Sequence, residues 1–376
     1  MNPAELPFDA DTMLDGLRTW IECESPTYDA ASVNRMMDIA SRKLVLAGAR
    51  IERVSGRMGF GDCVRASFPH VTPNVPGILV MGHLDTVHPI GTLAKLPFRR
   101  DGARAWGPGI QDMKGGNYMA LEAIRQLARA NVQTKLPITV LLTSDEEVGS
   151  PSTRDLIEAE ASRHRYVLVP EPARADGGVV TGRYAIARFN LEAIGRPSHA
   201  GARLAEGRSA IREMARKLIE IEDMTTDDCT FSVGVIRGGQ WVNCVATTCT
   251  GEALSMAKRQ EDLDRGVARM LALSASSNDV QFKVTRGVTR PVWEPNGKVM
   301  ALYETARGIA HGLGYDISSQ SSGGGSDGNF TGAMGIPTLD GLGVRGADAH
   351  TLNEYIEVES LAERGRLMAG LLATLS

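Results

Sequence analysis

The chain has 376 residues, 43% of them hydrophobic, and its 41 basic and 45 acidic side chains give a formal net charge of −4. This length favours two domains over one. The weak net charge and the lack of a basic cluster argue against nucleic acid or a membrane surface as partner and favour a small-molecule substrate.

The cysteines and the N-terminal segment indicate a cytoplasmic protein. The five cysteines are scattered and include no CxxC pair, so we expect reduced thiols rather than a disulfide framework. The acidic start does not have the pattern of a secretory signal. No apolar run is long enough to span a bilayer.

The first half of the chain predicts an α/β domain. Apolar positions have helical spacing through residues 11–49, and compact β-rich runs follow at 77–85, 138–144 and 166–169. A helical stretch at 116–130 separates the first two runs. Strand, helix and strand in this order predict a mostly parallel sheet with helices on both faces. Ligands of such sheets bind at the carboxyl ends of the strands.

The pattern changes near residue 181, where we predict an inserted α+β domain over 181–290. Its predicted elements are strands at 184–194, 231–236, 244–257 and 280–285 and helices at 205–221 and 262–273. The catalytic domain then comprises residues 1–180 and 291–376, and its last helix is predicted at 358–375.

Acidic and histidine side chains follow each predicted buried strand. His83 and Asp85 end the first strand, the carboxylates of 145–147 end the second, and Glu171 follows the third between two prolines. Asp85 is placed to accept the second ring N–H of His83 or to hold the adjoining loop. Three adjacent carboxylates at a partly buried strand end repel one another, and a metal cation is the natural compensation.

Two further candidate ligands lie in loops. Asp112 occupies the glycine-rich turn at 107–116, and its two oxygens can bridge cations about 3.5–4 Å apart. The alternative for Asp112 is an ordinary helix N-cap. His350 lies near the C-terminus, and taken alone it is more typical of a surface-loop histidine than of a metal ligand.

Taken together and in this order, the motifs resemble the M20 metallopeptidase family over nearly the whole chain. The resemblance implies two divalent ions, for which Zn²⁺ and Mn²⁺ both suit the donors. The implied ligand sets are, for one ion, His83, Asp112 and Glu171 and, for the other, Asp112, Glu147 and His350. Glu146 is implied as the general base and acid, and Asp85 as the support of His83.

The resemblance also implies that the inserted domain is a lid through which the chain forms a homodimer. His199, in the sequence Gly-Arg-Pro-Ser-His-Ala-Gly, is expected to reach the partner's active site and stabilise the oxyanion; without the resemblance it reads as a turn residue. The expected substrate-binding residues are Asn243, Gly324 and Arg290.

One departure from the family pattern affects the expected substrate. Ser255 or Met256 stands where relatives often have an arginine that binds a substrate carboxylate, which a bidentate guanidinium does well. Arg183, Arg286 and Arg290 are the alternatives for binding an anion.

Three functions follow as expectations. The most specific is hydrolytic deamination of an activated aromatic amine, 5-nitroanthranilate to 5-nitrosalicylate and ammonia. The alternative is amide hydrolysis by an M20 carboxypeptidase or N-acyl amino acid amidohydrolase. Both use attack by metal hydroxide with Glu146 moving the proton. A non-catalytic binding module is the third, and it would require the loss of a ligand or of the base.

Overall fold

The computed structural model describes residues 2–277 and 279–376. Its helices are α1 (Ala10–Ile21), α2 (Ala30–Leu46), α3 (Gly115–Arg129), α4 (Arg154–Ala161), α5 (Ala210–Glu222), α6 (Gln260–Ala272), α7 (Gly297–Gly312), α8 (Gly328–Ala333) and α9 (Glu359–Thr374). Its strands are β1 (Arg50–Val54), β2 (Cys63–Ser67), β3 (Gly77–His83), β4 (Arg99–Asp101), β5 (Arg104–Trp106), β6 (Ile138–Thr143), β7 (His164–Leu168), β8 (Val179–Arg183), β9 (Ala185–Ile194), β10 (Cys229–Gly238), β11 (Thr248–Ala257), β12 (Ala275–Ser277), β13 (Val280–Arg290), β14 (Ser319–Ser322), β15 (Thr338–Leu339), β16 (Gly346–Ala347) and β17 (Tyr355–Glu357).

These elements form two compact units. The first runs up to Gly182 and also includes Pro295–Ser321 and Ser326–Ser376. The second comprises Arg183–Glu294 and Ser322–Gly325. None of the described helices has the length and apolar character needed to span a membrane.

The first unit is built on a six-stranded mixed sheet with the order β1-β2-β6-β3-β7-β15. β3 pairs in parallel with β6 and β7, and β7 pairs in parallel with β15. β1, β2 and β6 are joined antiparallel. The predicted α/β fold is therefore confirmed, with a parallel centre and antiparallel strands at one edge.

Helices cover both faces of this sheet. Ile78 and Val80 of β3 belong to a core that includes side chains of α1, α2, α3, α7 and α9. Leu79 and Met81 point the other way, into a second core with side chains of α4 and α8. Every residue of β3 is buried, which is typical of a parallel strand covered on both sides.

A smaller sheet in the same unit has the order β16-β17-β5-β4. Its β17 pairs antiparallel with β5, so that Tyr355 lies opposite Trp106. This pairing joins the segment before β17 to the loop that follows β5: the Gly107 N–H donates to the Glu354 carbonyl at 3.4 Å.

The second unit is an antiparallel sheet of order β10-β11-β9-β13-β12 with helices on one face. Alternate residues of β9 are buried against side chains of α5 and α6. The residues between them, such as Arg188 and Glu192, are exposed on the opposite face. The strict alternation of buried and exposed residues produces a sheet with one face covered.

The largest differences between the predicted and observed elements of the second unit occur at three boundaries. α5 begins at Ala210 instead of 205, because the Ser209 side chain accepts a hydrogen bond from the Arg212 N–H and caps the helix there. β11 begins at Thr248 instead of 244. β13 continues to Arg290, and the unpredicted β12 pairs with it.

Gly116 provides a test of how α3 packs on the segment that leaves β7. A Cβ at this position would lie 1.9 Å from the Pro170 carbonyl oxygen. We therefore expect Gly116→Ala to lower the free energy of unfolding by about 1–3 kcal/mol, measured by urea denaturation.

Gly308, in the middle of α7, is the matched control. Apart from the neighbouring backbone of α7, no heavy atom of the described residues lies within 4 Å of a Cβ added to Gly308. Gly308→Ala is expected to raise the free energy of unfolding by about 0.5–1 kcal/mol, because alanine is the better helix former. Equal losses from the two substitutions would contradict the packing explanation.

Candidate metal centre

Three parallel strands end at one edge of the first unit's sheet. His83, the last residue of β3, lies opposite Thr143, the last residue of β6. The Leu84 N–H continues this pairing by donating to the Thr143 carbonyl at 3.0 Å. Glu146 and Glu147 lie in the turn after β6, separated from the strand by two residues, and Glu171 lies in the segment after β7. The sheet therefore brings these side chains together although they are far apart in sequence.

The His83 side chain is buried among carboxyl groups. Its Nε2 lies 3.3 Å from Asp112 Oδ1, 3.6 Å from Glu171 Oε1 and 3.9 Å from Glu146 Oε2. Its Nδ1 lies 3.0 Å from the backbone carbonyl oxygen of Asp85. A hydrogen on Nδ1 donates to that carbonyl and leaves the lone pair of Nε2 directed at the carboxylates, which is the tautomer that binds a metal.

Asp85 holds the turn that carries the two glutamates. Its carboxylate accepts hydrogen bonds from the N–H groups of Glu146 and Glu147, both at 3.2 Å, and from the Thr27 hydroxyl at 2.8 Å. The same carboxylate is 3.4 Å from His83 Nδ1, farther away than the Asp85 carbonyl oxygen. Of the two tasks that the sequence leaves open for Asp85, the geometry favours holding the loop.

Asp112 lies between the two imidazoles. Its Oδ1 faces His83 Nε2 at 3.3 Å, and its Oδ2 faces His350 Nε2 at 3.2 Å. The peptide bond from Asp112 to Met113 is cis. The alternative that Asp112 caps a helix is wrong, because α3 begins at Gly115 and has no side-chain cap. One carboxylate thus faces both halves of the cluster, as a bridging ligand must.

His350 completes the cluster from a loop. Its Nε2 also lies 3.2 Å from Glu147 Oε2. Its φ is 66°, and that of Asp348 is 62°, so two non-glycine residues of this loop adopt left-handed backbone conformations. Such conformations are unfavourable and are concentrated at functional sites. Half of the His350 side chain is exposed, so it forms the open side of the cluster.

The cluster carries more negative charge than its imidazoles balance. Burial raises the pKa of the Glu171 carboxyl well above its usual range, and the charge of Asp112 raises it further. Burial and Asp112 also raise the pKa of Glu147. His83 Nε2 is buried and has no hydrogen-bond partner among the described residues. Divalent cations would compensate the charge and bind this nitrogen, so the donors fit a metal site.

All five predicted ligands come together in the structure. Within the described part of the chain, two sets of three side chains place ligand atoms within 4.8 Å of one another: His83, Asp112 and Glu147, and His83, Glu146 and Glu171. The contacts of His350 join it to the first set. The division of these ligands between two ions stays a prediction.

The second unit places the predicted lid residues His199 and Asn243 side by side. The Ala200 N–H donates to the Asn243 carbonyl at 2.9 Å. His199 Nδ1 accepts hydrogen bonds from the N–H groups of Gly201 and Ala202, both at 3.1 Å. This arrangement requires the ring hydrogen on Nε2, which makes the exposed edge of His199 a hydrogen-bond donor.

Trp241 lies two residues before Asn243, and the residue is 71% exposed. It lies in the loop between β10 and β11, outside the strands of the sheet.

Gly324 and Arg290 also lie in the second unit. The Arg183 guanidinium donates to the Gly324 carbonyl at 2.6 Å. A Cβ on the neighbouring Gly325 would lie 2.8 Å from Arg290 Cδ, so this glycine packs directly on the arginine side chain. The glycine-rich segment and Arg290 are thus in contact.

The structure distinguishes the two positions considered for the missing arginine. Ser255 is buried on the helix side of the sheet, with its Oγ 3.4 Å from Cys229 Sγ. Met256 points to the opposite face. Ile186 pairs with Met256 on one side and with Arg290 on the other, so these three residues form one row across the sheet. The guanidinium in this row belongs to Arg290 on β13, two strands away from Met256 on β11.

The profile of peptidase family M20/M25/M40 matches residues 79–374, which include all five predicted ligands. The chain belongs to this family. The resemblance based on the ordered motifs is thereby confirmed, and the M20 chain is a metal-dependent hydrolase of the kind that acts on amide and peptide bonds.

Two bacterial enzymes are similar to this M20 chain over most of its length. Carboxypeptidase G2 of Pseudomonas sp. (strain RS-16) is 33% identical over 314 residues, which cover 79% of this chain and 74% of that enzyme. Succinyl-diaminopimelate desuccinylase of Nitrosospira multiformis is 28% identical over 359 residues, which cover 89% and 91%.

Two solved structures have the same fold at low sequence identity. A tripeptidase from Staphylococcus aureus subsp. aureus Mu50 matches with a TM-score of 0.77 at 21% identity, covering 97% of this chain and 98% of that one. The M20 metallo-carboxypeptidase Sso-CP2 from Sulfolobus solfataricus matches with a TM-score of 0.74 at 14% identity, covering 96% and 98%.

Sequence reasoning missed Glu354, the residue that orders the Asp112 loop. Its Oε1 accepts hydrogen bonds from the N–H groups of Gln111, at 2.8 Å, and Asp112, at 3.1 Å. Its Oε2 accepts from the Gly109 N–H at 3.0 Å and lies 2.7 Å from His88 Nε2. Glu354 and Asp112 are 242 residues apart, and no local spacing links them.

Glu354→Gln tests this support. A glutamine turns an NH₂ group towards donors that need an acceptor, so the Asp112 loop loses its order. We expect the affinity for Zn²⁺ to fall about 10–100-fold, as for other residues that orient metal ligands, measured by competition with a chelator. Glu359→Gln, an exposed glutamate at the start of α9, is the control and should bind as the wild type does. Equal affinities for all three proteins would contradict the assigned role.

Proposed function

We propose that this chain is an M20 amidohydrolase that cleaves the amide bond of an N-acyl amino acid or a small peptide. The observation that carries the proposal is the convergence of His83, Asp112, Glu146, Glu147, Glu171 and His350 at one sheet edge. Bound Zn²⁺ or Mn²⁺ would make a water molecule more acidic and polarise the substrate carbonyl. The other steps follow from the chain's own residues.

Glu146 is the proposed general base and acid. The residue is 9% exposed, and its carboxyl group lies at the edge of the ligand cluster, 3.9 Å from His83 Nε2. Its backbone N–H is fixed by Asp85, so the side chain starts from a defined position. From there it takes a proton from the attacking water and delivers it to the departing nitrogen, which must be protonated before it can leave.

His199 is the proposed donor to the oxyanion. Its Nδ1 accepts two backbone N–H groups, so Nε2–H is available to a negatively charged oxygen. We propose that the partner subunit's His199 serves each active site in a homodimer. Asn243, which is in contact with the same loop, contributes a second polar group for the substrate.

Arg290 is the proposed binding group for a substrate carboxylate. It shares a cross-strand row with Met256, one of the two positions at which relatives often have an arginine, and it contacts the segment of Gly324 and Gly325. The guanidinium group is the side chain best suited to recognise a carboxylate through two parallel hydrogen bonds. This placement supports an amino acid as one half of the substrate.

The comparisons favour amide hydrolysis over the more specific expectation of aromatic deamination. The named relatives are a carboxypeptidase and a desuccinylase, and both names denote cleavage of an amide bond. Deamination of 5-nitroanthranilate has no such support, and it serves here as an outcome of the substrate test.

Glu146→Gln is expected to lower kcat by about 10²–10⁴-fold, because glutamine cannot exchange the proton. The substrates are N-acyl amino acids, dipeptides and 5-nitroanthranilate, assayed with Zn²⁺- and Mn²⁺-loaded protein. Metal content should be unchanged, since Glu146 is outside the proposed ligand sets. Ammonia release from the aromatic amine alone would refute amide hydrolysis, and full activity of the variant would remove Glu146 as the base.

A mixing experiment tests whether His199 acts in the partner's site. Glu146→Gln and His199→Ala homodimers should each be nearly inactive. After exchange of subunits, half of the dimers are mixed, and each mixed dimer has one site with an intact Glu146 and an intact partner His199. Activity should therefore return to about a quarter of the wild-type value. No recovery, with mixed dimers demonstrated by mass spectrometry, would show that His199 acts within its own chain or that its role is structural.

A further inference from the structure

A groove of about 550 Å³ lies beside the metal centre within the first unit. Its walls are the segment 87–95, which follows β3, and the loop residues 350–352. His350 belongs to both features: it lines the groove, and its Nε2 faces Asp112 and Glu147 at 3.2 Å. A molecule in the groove is therefore next to the ligand cluster. The volume is within the range of small-molecule sites.

The groove exposes aliphatic side chains at adjacent positions on its two walls. Val87 is 41% exposed, Ile90 is 54% exposed and Leu352 is 51% exposed. Single exposed aliphatic residues are common on protein surfaces, but three that line one cavity beside a reactive centre indicate a binding surface.

The backbone that presents these side chains is held in place. The Glu24 carboxylate accepts hydrogen bonds from the N–H groups of Gly91 and Leu93, both at 2.9 Å. The Thr92 hydroxyl donates to the Pro89 carbonyl at 2.7 Å. The buried His88 imidazole contacts the Glu354 carboxylate. The wall is therefore formed before a ligand arrives, which lowers the entropic cost of binding.

The charges of the groove favour an apolar occupant. Apart from His350, its lining includes one ionisable group that is not buried, the exposed Lys95. Lysine covers apolar surface with its methylene groups while the ammonium stays in water. The amino acid half of an N-acyl amino acid carries a carboxylate, for which Arg290 is the proposed partner. An aliphatic acyl half carries no charge and needs no charged partner.

We propose that this groove is the acyl subsite and that it selects substrates with an extended apolar acyl group of about four to six carbons. The inference rests on the proposed amidohydrolase function and specifies its substrate class. Each buried methylene contributes about 0.8 kcal/mol, which is close to a fourfold change in an equilibrium constant.

The test is a series of N-acetyl, N-butyryl and N-hexanoyl derivatives of one amino acid. With the wild-type enzyme, kcat/KM should rise roughly two- to fourfold per methylene. In Leu352→Asn and Ile90→Asn the ratio of hexanoyl to acetyl kcat/KM should fall at least tenfold. The ratio within one variant cancels any general loss of activity. Val71→Asn, at a 73% exposed site outside the groove, is the matched control and should keep the wild-type ratio.

A binding measurement separates this inference from the proposed function. Calorimetric titration of Glu146→Gln with the same compounds needs no turnover, and its Kd should decrease with chain length only while Leu352 is present. Chain-length-dependent binding without hydrolysis of any amide by the wild type would support the subsite and refute the proposed function. Hydrolysis with a flat chain-length series, or a series unaffected by both variants, would overturn the subsite alone. So would a strict requirement for a carboxylate at the end of the acyl chain.

Discussion

The electrostatic repulsion among four carboxyl groups at one sheet edge is the constraint on which the rest of the site depends. Two imidazoles face four carboxyl groups, those of Asp112, Glu146, Glu147 and Glu171. Burial raises the pKa of Glu171 and of Glu147, and the charge of Asp112 raises both further. Divalent cations would balance this charge. Two further buried carboxylates hold the backbone of the cluster in place: Asp85 accepts hydrogen bonds from the N–H groups of Glu146 and Glu147, and Glu354 accepts them from the N–H groups of Gln111 and Asp112.

The parts of the fold and site that could be predicted are those governed by local pattern. A continuously apolar strand must be covered on both faces, and this pattern predicts that β3, β6 and β7 are parallel neighbours in one sheet. The carboxyl ends of parallel strands lie at the same edge of the sheet, so His83, Glu146, Glu147 and Glu171 come together there. The partners of Asp85 and Glu354 could not be found this way. A carboxylate that accepts backbone N–H groups from a distant loop has no spacing and no preferred neighbour in the sequence.

Three features of the second unit depend on contacts that the local sequence pattern does not determine. A helix begins where a side chain caps it, and Ser209 does so four residues after the apolar spacing begins to look helical. Trp241 is exposed because it lies in a loop that precedes β11. Ser255 and Met256 are adjacent in sequence but lie on opposite faces of the sheet. The face that each occupies depends on a register that three strands set together.

The segment after β3 shows how one stretch of chain can serve both the metal centre and the substrate. His88 points inward, is buried and contacts Glu354, which holds the Asp112 loop. Val87 and Ile90 point outward into the groove. Neighbouring side chains on an extended backbone project in different directions, so the inward contacts constrain the centre while the outward ones are unconstrained by it. Substitution of the outward residues changes the shape offered to an acyl group and leaves the hydrogen bonds to Glu354 and Glu24 intact. Within one family, substrate preference can therefore diverge at this wall while the hydrolytic centre stays the same.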